Sequence, residues 1–272
     1  MMRTAIVLIN YLKEQELIQF VEELLHPQLS AGRRLIVVDN GSDGVSLQKA
    51  LARHHHTTIL TPGSNLGYFG ASRHAFEYLQ RTEGIPDIFI ISNFDLEFDR
   101  LRFLDQLEAL CSAADAAVIG PHIVSSLSGA ALNPMYPERL AASRIWLLLC
   151  VTSFYPFFLF YQWLHHLKRK LKGSAAETLM ARRNIYAAHG SFMIFRRAYF
   201  DAGATLNFGS FLYGEELFVA EECRRTKQHI SFEPSLKMIH REHTTTGIYK
   251  NASHMKWLHQ SIRFIRDKYY ES

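Results

Sequence analysis

Four short, apolar, β-rich runs each end in a polar residue or an acid, and helix-patterned stretches separate them. "TAIVLIN" closes on Asn10 and "RRLIVVDNGSDG" turns at Asp39 and Asn40. "TIL" leads into "TPGSNLGYFG", which holds Asn65 and Gly67, and "IFIISNFDLEF" runs into Asp95 and Glu97. Between the first two runs, "KEQELIQFVEELL" sets Leu17, Phe20, Val21, Leu24 and Leu25 at helical spacing. Further helices are expected around residues 46–54 and over 71–80. Buried strands alternating with helices through short loops predict an α/β fold whose central sheet is mainly parallel and flanked by helices. Sheets of this kind bind ligands beyond the carboxyl ends of their strands, and the polar clusters recur there in order.

The chain has 272 residues, 48% of them hydrophobic and 21% charged, enough for one large α/β domain with a full core. A net charge of +4 suits a phosphate-bearing ligand or an anionic membrane surface as well as an ordinary surface. Basic residues are not interleaved with stacking aromatics, so no nucleic-acid partner is expected. Cys111, Cys150 and Cys223 are scattered and form no CxxC, which points to reduced thiols and a cytoplasmic setting. Arg3 runs directly into "TAIVLIN", which reads as a first strand and not as a secretory leader.

Each polar cluster carries a functional and a structural reading. Asp39, at a strand end in a Gly-rich loop, can accept from a ribose hydroxyl or a base N–H, or can close an Asx-turn. Gly67 and Gly70 precede a helix, where backbone amides can approach a phosphate, and Arg73 lies one turn in, within reach of a diphosphate. A plain glycine-containing loop fits the same spacing. Asp95 and Glu97 project to one side of an extended chain, as two hard donors for Mg²⁺ or Mn²⁺ or as a solvated acidic turn. Asp99 follows on the same side and reads as a helix cap or surface residue. Glu215 and Glu216 head a helix, where the dipole favours acids and where a general base can also sit. Of His189, His240 and His243, His240 stands out because it ends the strand "ISFEPSLKMIH". The run His54-His55-His56 reads as surface.

In order, these segments resemble glycosyltransferase family 2, inverting enzymes of GT-A fold that use nucleotide-diphospho sugars. Among them the rhamnosyltransferase-like members of bacterial polysaccharide assembly look most similar. The resemblance covers roughly residues 4–125 and 185–247. "VVDNGSDG" looks like the nucleotide-contacting strand end, with Asp39 at the base-binding position, and "NLGYFGASRHAF" is similar to the segment that follows. "NFDLEF" resembles the family's "NPDVEF", a DxD variant, and "FLYGEEL" resembles "FFYGEDxD", whose acids supply the base. "GSFMIFRRAYFDAGA" is similar to the stretch before the acceptor site, and the His240 segment with its Thr-Thr-Thr-Gly tail resembles a late His motif near the diphosphate.

The resemblance thus implies one Rossmann-like GT-A domain over residues 1–272. It implies nucleotide-sugar contacts at Asn10, Asp39, Asn65, Gly67, Arg73 and Asp95, and a Mg²⁺ or Mn²⁺ ion near Asp95, Glu97 and His240. The base is Glu216 or Glu215. The donor is dTDP-rhamnose or a UDP-hexose, and the acceptor a glycan or lipid-linked glycan. Glu216 replaces the second acid of the usual Glu-Asp pair, Phe218 replaces a further Asp, and Phe94 replaces a Pro. A non-catalytic sugar-nucleotide-binding subunit is the alternative. A nucleotidyltransferase fits poorly, because "LINYLKEQ" has no glycine loop after the first strand.

An apolar and basic insert, about residues 140–182, interrupts this pattern. Residues 145–164, "IWLLLCVTSFYPFFLFYQWL", carry no charge, and "HHLKRKLK" follows. About 20 residues can span a bilayer, but a single crossing would separate Asp95 from Glu216. Pro156 can instead split the segment into two arms. Two readings remain: membrane contact, with Lys168, Arg169, Lys170 and Lys172 on anionic headgroups, or a buried or dimer-contact helix pair. The first places the protein peripherally on the inner face of a bacterial membrane. A C-terminal amphipathic helix is expected over about 252–270.

Overall fold

The strands run through the core in pairs of faces. In β1 (Thr4–Asn10), Ala5 and Val7 join one hydrophobic cluster while Ile6 and Leu8 join another on the opposite side. β2 (Arg33–Asp39) and β4 (Ile88–Ser92) divide in the same way, so both faces of the sheet are covered. This accounts for their unbroken apolar sequences, since a sheet with one wet face would alternate. The computed structural model describes residues 2–25, 32–98, 103–172, 181–241 and 251–271. Asp99, His243 and the Thr-Thr-Thr-Gly tail lie outside these residues, as does the end of the insert beyond 172.

β1 lies between β2 and β4, with β3 (Thr57–Leu60) outside β2, all parallel. The second half is mixed. β8 (Phe192–Arg196) runs antiparallel between β4 and β6 (Val118–Ser125). β9 (Ile230–His240) lies parallel to β6 and carries β5 (Leu96–Glu97) and β7 (Arg183–Ile185) antiparallel. Strands β1, β2, β3, β4, β6 and β9 therefore point the same way, as the expected mainly parallel sheet requires. Their carboxyl ends and the amino end of β8 share one edge.

Helices flank the sheet. α1 (Glu14–Phe20) passes directly into a π-turn over Val21–Leu25, and α2 (Val45–Leu51) precedes β3. α3 (Gly67–Thr82) begins four residues earlier than its apolar periodicity suggests, because Gly67 enters the helix from φ +72°. α4 (Phe103–Ala113), α7 (Arg197–Asp201) and α8 (Glu215–Arg225) complete the main body. The apolar insert folds as two antiparallel-type arms, α5 (Ala142–Thr152) and α6 (Tyr155–Lys172), with Pro156 in the first turn of α6, where its missing N–H costs nothing. Both arms pack on α9 (Ala252–Tyr269). Among the described residues, no helix is long and apolar enough to cross a membrane.

Behind the sheet edge, α8 is anchored by a buried ionic network. Glu221 accepts from Arg139 Nε at 2.7 Å and from the Tyr186 hydroxyl at 2.6 Å. Glu222 accepts from Arg225, Lys268, Tyr269 and the Thr205 amide. Pairing offsets the desolvation of two acids buried in the middle of a helix, and loss of a partner would leave a buried charge uncompensated.

Candidate active site

At the shared edge, β1 and β2 end in register, Asn10 beside Asp39. Both are fully buried, and Asn10 Nδ2 donates to Asp39 Oδ1 at 3.1 Å. Asp39 also accepts from the Gly41 amide at 3.4 Å and from the Ser42 hydroxyl, so it does close the Asx-type turn. Next to it, Asn40 ties the loop before α3 to β2. Its Nδ2 donates to Asn65 Oδ1 at 2.8 Å and to the Gly67 carbonyl at 3.1 Å, and its Oδ1 accepts from the Leu66 amide at 2.9 Å. The Gly67 amide donates to Asn65 Oδ1 at 2.9 Å. Asn65 and Gly67 thus hold the loop together.

Past β4, Asp95 turns toward β9. Its Oδ1 lies 3.1 Å from His240 Nε2, and its carbonyl accepts from the Arg241 amide at 2.8 Å. Glu97 is drawn away, pairing with the Arg241 guanidinium. Asp95, Glu97 and His240 therefore do not form one ligand set, and no group of three or more His, Cys, Asp or Glu side chains is placed to hold a metal among the described residues. In the antiparallel register Leu96 lies opposite His240 and Glu97 opposite Ile239, and the two acids reach different side chains, Asp95 to His240 and Glu97 to Arg241 just beyond β9.

A divalent cation nevertheless fits the pair. One carboxylate oxygen faces one imidazole nitrogen, and His240 Nδ1 is buried with no hydrogen-bond partner. Two protein donors leave positions that diphosphate oxygens can fill.

α8 delivers the acids from the opposite side. Tyr213 and Gly214 both take positive φ, 70° and 85°, turning the chain sharply into the helix. Glu215 is buried and accepts from the Tyr213 amide at 3.0 Å, which braces that turn. Glu216 instead points to the segment before β8, where its Oε1 accepts from the Gly190 amide at 3.3 Å.

Tyr68, in the first turn of α3, links these parts. Its hydroxyl donates to the Gly190 carbonyl at 3.1 Å. Burial pushes that hydroxyl well above its ordinary range, and the charges of Glu215, Asp95 and Glu216 push it further. One hydroxyl thus feels acids from two separate segments. The His189 ring lies edge-on to His240, centroids 5.9 Å apart, with Nδ1 2.9 Å from Ser191 Oγ. Buried Asn133 fixes the His189 amide at 2.6 Å. Tyr136 borders the same space: burial raises its hydroxyl, Glu216 and then Tyr161 on α6 add to the rise, and Arg144 on α5 opposes it.

Arg73 lies apart from this assembly in its contacts. It pairs with Glu77 at 3.4 Å, bonds Asn207 at 3.4 Å, and lines a groove with Phe76, Phe200 and Leu206. Sequence reasoning named Asn40 and His189 without giving either a role, and missed Tyr68, Tyr136 and Gly190. Tyr68 stood inside a quoted motif as the residue after Gly67. Gly190 could be found only by knowing that β8 runs antiparallel and starts at this edge.

The family model for Glycosyl transferase family 2 matches residues 5–203. No curated protein matches. A crystal structure of GalNAc-T7 with UDP, GalNAc and Mn²⁺ superposes with a TM-score of 0.54 at 11% identity, covering 88% of this chain and 43% of that one. A mycobacterial protein gives 0.55 at 14%, covering 99% of this chain and 75% of that one. A mannosyltransferase from Pyrobaculum calidifontis, solved with GDP-Man and Mn²⁺, gives 0.47 at 13%, covering 88% and 56%. The chain spans less than half the length of the GalNAc-T7 chain it matches. With its acids gathered at the carboxyl edge of a helix-flanked sheet, the chain is a GT-A-fold protein that belongs to glycosyl transferase family 2.

Proposed function

We propose that the protein is an inverting glycosyltransferase that moves a sugar from a nucleotide-diphospho-sugar to a hydroxyl of a glycan or lipid-linked glycan. The observation that carries this reading is that the Tyr68 hydroxyl bonds the carbonyl of Gly190, whose amide holds Glu216, and also feels the charge of Asp95. Carboxylates from the diphosphate side and from a helix start then face one space at the ligand-binding edge of the sheet.

In this reading Asp39 and Asn10 border the nucleoside pocket, with Asn40, Asn65 and Gly67 shaping its loop. Asp95 and His240 would hold a Mg²⁺ or Mn²⁺ ion. When bound, the ion neutralises charge on the departing diphosphate. Glu216 takes the acceptor hydroxyl proton, and its bond to the Gly190 amide fixes the direction in which that oxygen points. Glu215, spent on the Tyr213 turn, is the positioning acid. Attack from the face opposite the diphosphate inverts the anomeric centre. The donor is dTDP-rhamnose or a UDP-hexose. The setting is cell-surface polysaccharide synthesis at the cytoplasmic face of a bacterial membrane.

A panel of nucleotide sugars, each with and without Mn²⁺, tests the reading by thermal stabilisation. One nucleoside-diphospho-sugar should raise the melting temperature in a Mn²⁺-dependent way, and its nucleoside monophosphate should not. No stabilisation by any donor would count against it.

A further inference from the structure

The outward face of the α5–α6 hairpin is apolar at helical spacing. On α6, Phe157, Phe160, Trp163 and Leu167 are all exposed, at intervals of three and four residues that place them in one stripe. Phe154, in the turn between the arms, is 55% exposed and meets Phe157 edge-on, while Phe160 stacks on Trp163 at 5.8 Å. Trp146 on α5 is 49% exposed and carries the Arg266 guanidinium of α9 over its ring at 4.6 Å. The opposite faces are already occupied. Ile145, Leu149 and Phe158 are buried, and Thr152 Oγ1 bonds His259 of α9 at 2.9 Å. A surface helix normally turns its polar side outward; this pair turns apolar side chains both ways. A contiguous exposed patch of large aromatics marks an interaction surface.

Charge identifies the occupant. Between Glu138 and Glu177 the chain has no acid, and the last turns of α6 have the sequence "HHLKRKLK". A basic helix end following an aromatic stripe complements an anionic lipid surface. A second copy of the hairpin would bring no acid to meet it. We infer that the α5–α6 hairpin lies in the interfacial plane of an anionic bilayer, with Phe154, Phe157, Phe160 and Trp163 entering the headgroup layer. The Tyr136 hydroxyl feels the charges of Glu216 and of the hairpin residues Tyr161 and Arg144, so docking would hold the side of the site bearing Glu216 near the bilayer. The docking itself does not depend on the transferase reading.

The chain contains its own reporter. Cys150 is exposed on α5, one turn beyond Trp146 and Leu147, whereas Cys111 and Cys223 are buried. The full-length protein is floated with vesicles of phosphatidylcholine plus phosphatidylglycerol and with phosphatidylcholine alone, while maleimide modification of Cys150 is followed. The protein should float with the anionic vesicles, weaken by at least about tenfold on neutral ones or at high salt, and show Cys150 protected. Replacing Phe157→Ser, Phe160→Ser and Trp163→Ser together, at exposed positions that leave the core intact, should lower partitioning by at least about tenfold with an unchanged melting temperature. Failure of the wild type to float, equal flotation of the triple variant, or unprotected Cys150 would overturn the inference. So would a wild-type dimer that ignores vesicles and becomes monomeric in the triple variant, since a second copy would then cover the face.

Discussion

Gly190 lies so close to Glu216 that a β-carbon added to the glycine would fall 2.7 Å from the carboxylate Oε1. The Gly190 amide donates to that same oxygen, and the Gly190 carbonyl accepts from Tyr68. The glycine therefore aims the proposed base and joins it to the helix start that faces Asp95.

Gly190→Ala follows directly. The clashing atom is the far end of a flexible side chain, so the carboxylate swings aside and the backbone stays. Turnover should fall by roughly tenfold or more, because a displacement of about 1 Å at a reacting group has such an effect. The melting temperature should change little. Steady-state kinetics beside a thermal melt separates the two effects.

Gly67→Ala should do the opposite. An added β-carbon there would sit 2.0 Å from the Phe211 carbonyl oxygen, and residue 67 holds φ +72°. Backbone cannot give way as a side chain can, so stability should drop by more than about 2 kcal/mol. Gly63, at φ +80° but in open space, is the control. Its alanine variant should lose only about 1 kcal/mol, as read by chemical denaturation.

The metal pair can be separated from its neighbour. Asp95→Asn and His240→Ala should each abolish the Mn²⁺-dependent part of stabilisation by a nucleoside diphosphate. Glu97→Gln should leave it, because Glu97 faces Arg241. Isothermal titration with Mn²⁺ in the presence of the diphosphate measures all three.

Acid stability should depend on Glu222. Burial alone would raise its carboxyl, but hydrogen bonds from Arg225 and Tyr269, the Lys268 charge and the Thr205 amide bring it down to about 2 from 4.5. A depressed carboxyl stabilises the fold fully above the unfolded value, and that stability is lost as pH falls from about 4.5 toward about 2. At about 1.4 kcal/mol per pH unit the contribution is about 3 kcal/mol. Glu222→Gln should lower stability at pH 7 by about that amount and flatten the acid limb of a pH–denaturation curve.

The strand ends were legible because chemistry recurs with topology. Asn10, Asp39, Asp95 and His240 each follow an apolar run, and the sheet brings those runs into register. Helix starts were less legible. α3 begins at Gly67 through a positive φ that no apolar period reveals. The partners of Glu97 and Arg73 depended on side chains distant in sequence: Arg241 across a two-residue strand, and Asn207 on a loop after α7. Gly190 and Tyr68 gain their places from an antiparallel strand threaded into a parallel sheet, and local pattern carries no trace of that. The insert breaks at Ser153 and Phe154, just before Pro156, since a proline fits a first helical turn and not an interior.

Glu216→Gln tests the central claim most directly. With the nucleotide sugar and acceptor that the wild type uses, turnover should fall roughly a hundred- to ten-thousandfold, while Mn²⁺-dependent stabilisation by the nucleoside diphosphate stays at the wild-type level. Turnover equal to wild type would contradict the assignment of Glu216 as the base, and a wild type that binds the donor but transfers nothing to any acceptor would contradict catalysis itself.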